Sequence, residues 1–291
     1  MRLNHMMLEI TPPSKRASDE FVSKSTEKVA GVVGSAGCID IINVPEILEE
    51  NREGMPLYRN LETREYGLAI REKTGVKIAV NKVVVFFESE NRFQKWLAET
   101  VEKYAITDLI FVGGYSSKMK YPGPNVMKAN AIAAKWKNVR VGNICIPQRK
   151  GEAERLLAKT LSGCNYFTTQ IIMESKTIKT LLGKYDAECR SRKVTPSEIY
   201  ISFAPARDGH DIEFFEWLGA EMPSEAEKML KLSGDMGKAS IELSRGILAD
   251  VFSFCEQEKI AVPISINVEP MSQSNLPLAQ EMIQELSDSI R

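Results

Sequence analysis

The chain has 291 residues, with 38 Lys and Arg against 39 Asp and Glu, for a formal net charge of −1. That balance excludes a dedicated nucleic-acid or anionic-membrane binder, whose affinity rests on an excess of basic side chains. Hydrophobic residues make up 43% and charged residues 26%, and no apolar run approaches the roughly 20 residues that span a bilayer, so the composition is that of a globular protein without a transmembrane helix. Eight β-rich runs follow one another along the chain: Met6 to Ile10, Cys38 to Asn43, Val76 to Val85, Asp108 to Val112, Val139 to Ile146, Tyr166 to Ile172, Ile199 to Phe203 and Val262 to Val268. They are continuous apolar stretches rather than alternations, as parallel strands covered on both faces require. Amphipathic segments separate them, among them Asn91 to Tyr104 and Val126 to Lys135.

Between the seventh and eighth runs the chain carries two helical segments, Asp211 to Leu218 and Ser224 to Gln257, the second broken near Gly234 to Gly237. Eight β-α units without a linker predict an α/β fold, a single (β/α)8 TIM barrel over residues 1–291. A helical insertion between strands seven and eight, at about 205–260, extends it. A doubly wound open sheet is the structural alternative. The loops Pro45 to Arg64 and Tyr115 to Pro124 are the longest polar connections, and both follow strand ends, where barrels build their sites. Met1 to His5 leave no room for a secretory signal before the first strand, which predicts a cytoplasmic protein. The five cysteines, Cys38, Cys145, Cys164, Cys189 and Cys255, form no C-x-x-C pair, and with His5 and His210 as the two histidines no metal site is predicted.

The first residues after each strand converge on one mouth of a barrel, so they form a provisional site. Glu9 lies within an apolar first strand and must be desolvated or paired. Desolvation would raise its pKa toward that of a general acid; the structural alternative is an ion pair with Lys82 or Arg207. Asn43 ends the second strand, Asn81 and Lys82 the third, and Asn267 and Glu269 the eighth. Gln170, in the sixth, offers two donors and an acceptor suited to the edge of a pterin or pyrimidine ring, or to its neighbours in a barrel layer. Gly113 and Gly114 after the fourth strand would admit a ligand to the backbone or serve a turn. Neither a dinucleotide fingerprint, a P-loop nor a nucleophile elbow is present.

These strand ends resemble those of the methylenetetrahydrofolate reductase family. Leu8-Glu9-Ile10-Thr11-Pro12-Pro13 is similar to its first-strand E-x-x-P-P motif, and Gly163-Cys164-Asn165-Tyr166-Phe167-Thr168-Thr169-Gln170 to its sixth-strand G-A-x-x-x-x-T-Q. Tyr121-Pro122-Gly123-Pro124 with Ala129-Asn130 resembles the segment after the fourth strand, and the resemblance runs from Met7 to about Leu286. It implies a flavin-bearing barrel of one-carbon metabolism. Such a barrel passes hydride from NAD(P)H through FAD to the methylene bridge of a reduced folate or other tetrahydropterin, leaving a methyl group. Glu9 then matches the acid that opens the bridge. Gln170 matches the amide on the pterin, with Asn43 and Glu269 beside the substrate. Lys159 matches a lysine near the flavin phosphates and Tyr121 a tyrosine of the flavin loop, with Asn81, Gly113, Gly114 and Tyr115 along the cofactor. The chain departs from the family where Gly113-Gly114-Tyr115 replaces R-G-D, Val80-Asn81 replaces P-H, and Asn267-Val268-Glu269 replaces L-N-R. The alternative that the departures leave open is a non-redox pterin-binding protein, either a methyl-transfer component or a partner subunit of a reductase complex. Self-association into a homo-oligomer is a further expectation.

Overall fold

The computed structural model describes residues 3–50, 56–114 and 119–288. In chain order the strands are β1 (Met6–Glu9), β2 (Ile41–Val44), β3 (Leu48–Glu50), β4 (Pro56–Tyr58), β5 (Lys77–Val83), β6 (Asp108–Val112), β7 (Arg140–Cys145), β8 (Tyr166–Ile171), β9 (Glu198–Phe203) and β10 (Ile264–Val268). All but β3 and β4 pair in parallel and close into one barrel, in which β10 returns to β1 with Met6 opposite Ile266. The architecture is a (β/α)8 barrel, and the open-sheet alternative does not hold. The exception to the expected loops is β3 and β4, an antiparallel hairpin with Leu48 opposite Tyr58 inside the long polar connection after β2.

The helices are α1 (Asp19–Ala36), α2 (Thr63–Thr74), α3 (Glu90–Glu102), α4 (Val126–Ala133), α5 (Glu152–Leu161), α6 (Ser175–Arg192), α7 (Gly209–Trp217), α8 (Ser224–Leu232), α9 (Met236–Gln257) and α10 (Leu276–Asp288). Their ends follow local chemistry. Ser18, Ser89, Asn125, Asp208 and Asp235 each accept a backbone N–H from the first turn of the helix they precede, which satisfies donors that have no partner within the helix. The cap at Asp235 is what separates α9 from α8.

Two layers of apolar side chains hold the barrel. The larger lies between strands and helices and includes Leu8, Ile42, Val80, Leu109, Phe111, Phe167, Ile201 and Val268. The smaller lies inside, where Met7, Ile41, Ala79, Ile110, Tyr166 and Tyr200 fill the middle. Because side chains alternate between the two faces of a strand, the residues two positions beyond this inner plug also face inward, now at the C-terminal mouth. They are Glu9, Asn43, Asn81, Val112, Thr168 and Ser202. Replacing a plug residue as fully buried as Tyr166 with Ala would cost roughly 3–5 kcal/mol.

Candidate active site

At the mouth, β1 ends in Glu9, whose Oε2 accepts a hydrogen bond from Asn43 Nδ2 on β2 at 2.7 Å. Asn267 on β10 turns its Nδ2 to Glu269 Oε1 at 2.9 Å and to Ser202 Oγ on β9 at 3.1 Å. Burial in the barrel pushes the Glu9 carboxyl well above the usual carboxylate range, and the negative charge of Glu269 pushes it further; hydrogen bonds from Asn43 and Asn267 oppose both. Glu269 is itself raised by burial to about 7, against hydrogen bonds with Ser202 and Asn267. Part of the Glu9 side chain nevertheless remains open to the mouth. A carboxyl that burial biases toward its protonated form therefore faces an accessible space.

The ion-pair alternative for Glu9 is overturned. Lys82 lies on the outward face of β5, one residue past inward-facing Asn81, and its Nζ meets Glu46 Oε1 at 2.5 Å. The rings of Tyr58, Phe87 and Trp96 surround that ammonium at 5.3 to 5.8 Å from their centroids. Arg207 pairs with Asp211 at 3.3 Å. Neither cation is left for Glu9.

Three neutral amides complete the polar half of the mouth. The Oδ1 atoms of Asn43, Asn81 and Asn267 are buried and accept no hydrogen bond among the described residues. Buried polar atoms are nearly always satisfied, so three unfilled acceptors around one opening point to a ligand that brings N–H donors. Asn81 contributes the third of these acceptors from β5. Ser202 and the amide of Asn267 were not singled out as binding groups from sequence. Their signal was the period of two counted from Tyr200 and Ser265, which places both inside the barrel.

The other half of the mouth is a cleft of about 940 Å³ over β5, β6 and β7. Val83, Phe86, Val112, Ile144 and Ile146 give it apolar walls, Gly113 and Gly114 line it, and Arg149 and Lys159 add positive charge. Lys159 Nζ donates to the Ile144 carbonyl at 2.7 Å, and burial lowers its pKa. Tyr121 lies across Gly114, where any Cβ would come within 2.3 Å of its ring. Glycine there is a steric requirement of the Tyr121 packing. Tyr115 lies outside the described residues. Asn130, part of the motif after the fourth strand, exchanges amide hydrogen bonds with Asn143 at 2.7 and 3.1 Å on the outer face of β7, a structural lock.

Gln170 reaches the same mouth by an irregular route. Thr168 pairs with Tyr200 but Ile171 with Ser202, so β8 carries an extra residue at this point. Such a bulge re-aims a side chain. It directs Gln170 Nε2 to the carbonyl of Leu218, just past α7, at 2.5 Å. Gln148 Nε2 donates to the neighbouring Gly219 carbonyl at 3.2 Å. Two glutamines therefore strap the α7 to α8 connection across the rim, and the Gln170 amide is engaged with protein rather than free. Among the described residues no group of three or more His, Cys, Asp and Glu could hold a metal ion, and no helix is long and apolar enough to cross a membrane.

Residues 2–228 match the family model described as mycobacterial methylenetetrahydrofolate reductase. The chain belongs to this family. No curated protein sequence matches it. Among solved structures, it superposes with a TM-score of 0.79 and 18% identity on an uncharacterized protein from Clostridium thermocellum, covering 99% of this chain and 96% of that one. That protein is described as binding two copies of 5-methyl-5,6,7,8-tetrahydrofolic acid. The Bacillus cereus spore cortex-lytic enzyme SleL is more distant, with a TM-score of 0.54, 10% identity, and coverage of 98% of this chain and 74% of that one. At these identities both likenesses speak for the barrel alone.

Against the flavin that the family resemblance implies, the residues give a divided fit. Arg149 and Lys159 place two cations on an apolar cleft, a donor set that suits the diphosphate and flat ring of a dinucleotide. At the ends of β5 and β6, however, Asn81 and Gly113-Gly114 stand in place of the implied imidazole and carboxylate. The donor set suits a dinucleotide without selecting FAD over NAD(P)H.

Proposed function

We propose that this member of the family reduces the methylene bridge of a tetrahydropterin, most simply a tetrahydrofolate, to a methyl group with hydride drawn from NAD(P)H. The observation that carries the reading is Glu9, a carboxyl whose pKa burial raises, at a mouth lined by asparagines with unfilled acceptors. The aminopyrimidinone edge of a pterin offers the N–H donors such a ring lacks, and the bridge opens only when its aryl nitrogen is protonated. Family membership supports the substrate class, as does the methylated tetrahydrofolate described for the Clostridium thermocellum protein. Glu9 donates the proton; Asn43 and Asn267 orient its carboxyl and draw in the ring; the apolar walls of the cleft exclude water from the carbon to be reduced. Arg149 and Lys159 would hold the dinucleotide phosphates. FAD bound in that cleft would relay hydride from NAD(P)H to the pterin.

The absence of a carboxylate at Gly113-Gly114 favours a second reading, a folate-binding methyl-transfer component or accessory subunit without redox activity. Anaerobic incubation with NAD(P)H and methylene-tetrahydrofolate separates the two. The reductase reading expects oxidation of the nucleotide matched by methyl-tetrahydrofolate, with the purified protein examined by mass spectrometry for bound flavin. Tight binding of methyl-tetrahydrofolate without nucleotide oxidation, with or without added FAD, would establish the second.

A further inference from the structure

β1 and β10 run in parallel register with Leu8 opposite Val268. The next residue on each strand is a glutamate, so Glu9 and Glu269 continue two neighbouring strands, spaced about 4.8 Å apart, into the same opening. Both carboxyls are held from one side by Asn267, and Ser202 completes the support of Glu269. The groups contributed by the adjoining strands are Asn43 from β2, Asn81 from β5, Ser202 from β9 and Asn267 from β10, and all of them are neutral. Lys82 and Arg207, the two cations that could have paired with Glu9, are spent on Glu46 and Asp211, and Arg149 and Lys159 line the cleft over β5, β6 and β7. Two buried carboxyls side by side without a cation cost the fold stability, and nothing in the packing requires them.

We propose that Glu9 and Glu269 act as a carboxyl pair sharing one proton, in which Glu9 protonates the methylene bridge and Glu269, as carboxylate, stabilises the iminium cation that forms. This rests on the reductase reading above. The Glu9 O–H bond breaks as its proton passes to the aryl nitrogen of the bridge. The carbon–nitrogen bond to that atom then breaks, its electron pair staying on the nitrogen, and the lone pair of the ring nitrogen forms the C=N⁺ bond. Hydride from the reduced dinucleotide adds to this carbon and returns the π pair to the ring nitrogen, leaving a methyl group. Solvent restores the proton to Glu9. Before the transfer the pair carries one negative charge beside a neutral substrate; afterwards it carries two beside a cation, so the net charge of the mouth is unchanged. Glu269 thereby supplies from β10 the anion that Gly113-Gly114 cannot supply from β6.

The two carboxyls titrate as a coupled pair. Burial raises both carboxyls, and the charge on whichever ionises first keeps the proton on the other to higher pH. Carbon-13 NMR of glutamate-labelled protein reads this without turnover. In Glu269→Gln the Glu9 carboxyl should titrate at least about one pH unit lower than in the wild type, because the neighbouring anion is gone. In the kinetic arm, Glu269→Gln should lower turnover at least tenfold and move the high-pH limb of the rate profile downward, while Glu269→Asp, which keeps the charge, recovers part of the loss. An unmoved Glu9 titration, or wild-type turnover in Glu269→Gln, would overturn the pair while leaving the reductase reading intact. Absence of any reduction by the wild type would overturn that reading and the catalytic half of the proposal together, leaving a shifted titration as a property of the ligand-free mouth.

Discussion

The two ends of the barrel treat buried charge in opposite ways. At the N-terminal end Arg140 bridges Asp108 at 3.1 Å and Glu198 at 3.0 Å, and Glu198 is also met by His5 at 2.7 Å and by Ser265. The guanidinium lies over the Tyr166 ring, 5.1 Å from its centroid. At the C-terminal end Glu9 and Glu269 stand together with amides and a hydroxyl but no cation. One end closes the plug with compensated charges; the other leaves two acids without a cation and acceptors unfilled. Even at the paired end burial outweighs Arg140 and lifts the Asp108 carboxyl above its usual range, so desolvation alone does not separate the ends. What separates them is whether a partner was built in. Partners within the chain stabilise a fold, and a site is where the partner is left to the ligand.

The comparison breaks most sharply at Glu9. Glu9→Gln should lower turnover by about 10² to 10⁴-fold with no fall in Tm, because it removes a proton donor and a desolvated acid together. A fall in Tm with activity intact would return Glu9 to a structural role. Arg140→Met should do the reverse, costing about 3 kcal/mol in urea denaturation by leaving Asp108 and Glu198 uncompensated, while kcat of the folded fraction holds.

The third prediction concerns pH. A carboxyl whose pKa is raised on folding binds its proton more tightly in the native state than in the unfolded chain. Its contribution is thus fully present below about 4.3 and is lost as pH rises through the native value. For Glu269 that window ends near 7, and Glu9 contributes in the same direction. The double variant Glu9→Gln/Glu269→Gln should therefore gain on the wild type in Tm as pH rises from 5 to 8. A gap that stays flat would remove the raised pair. The smallest effect is expected at the rim. Gln148→Ala, which cuts the bond to Gly219, should raise hydrogen exchange at residues 218–220 and change KM only about two- to fivefold.

The barrel itself was legible because its signal is local. Continuous runs such as Asp108 to Val112 have to be covered on both faces, and the helices between them supply the cover. Glu9 was legible for the same reason, as a carboxylate that an apolar strand cannot hide. The β3–β4 hairpin was not, since three-residue strands with Pro56 at one edge leave no periodic trace. Lys82 was misplaced because a side chain of either polarity can end a strand, and a shift of one position exchanges the two faces. The bulge that re-aims Gln170 arises from the pairing of β8 with β9 and has no counterpart in the composition of either strand.

What the sequence determined by itself was the eight-unit period, the helix ends and the presence of an acid in the first strand, all set by forces acting over a few turns of chain. The tertiary structure decided which charges meet. Glu9 and Glu269 are 260 positions apart and become neighbours only because β10 closes on β1, and Arg140 finds Asp108 and Glu198 only because the strands stagger around the axis. Pairing and desolvation depend on distance in space, which no local pattern encodes, so the same carboxylate could be read as salt bridge or acid until the barrel closed around it.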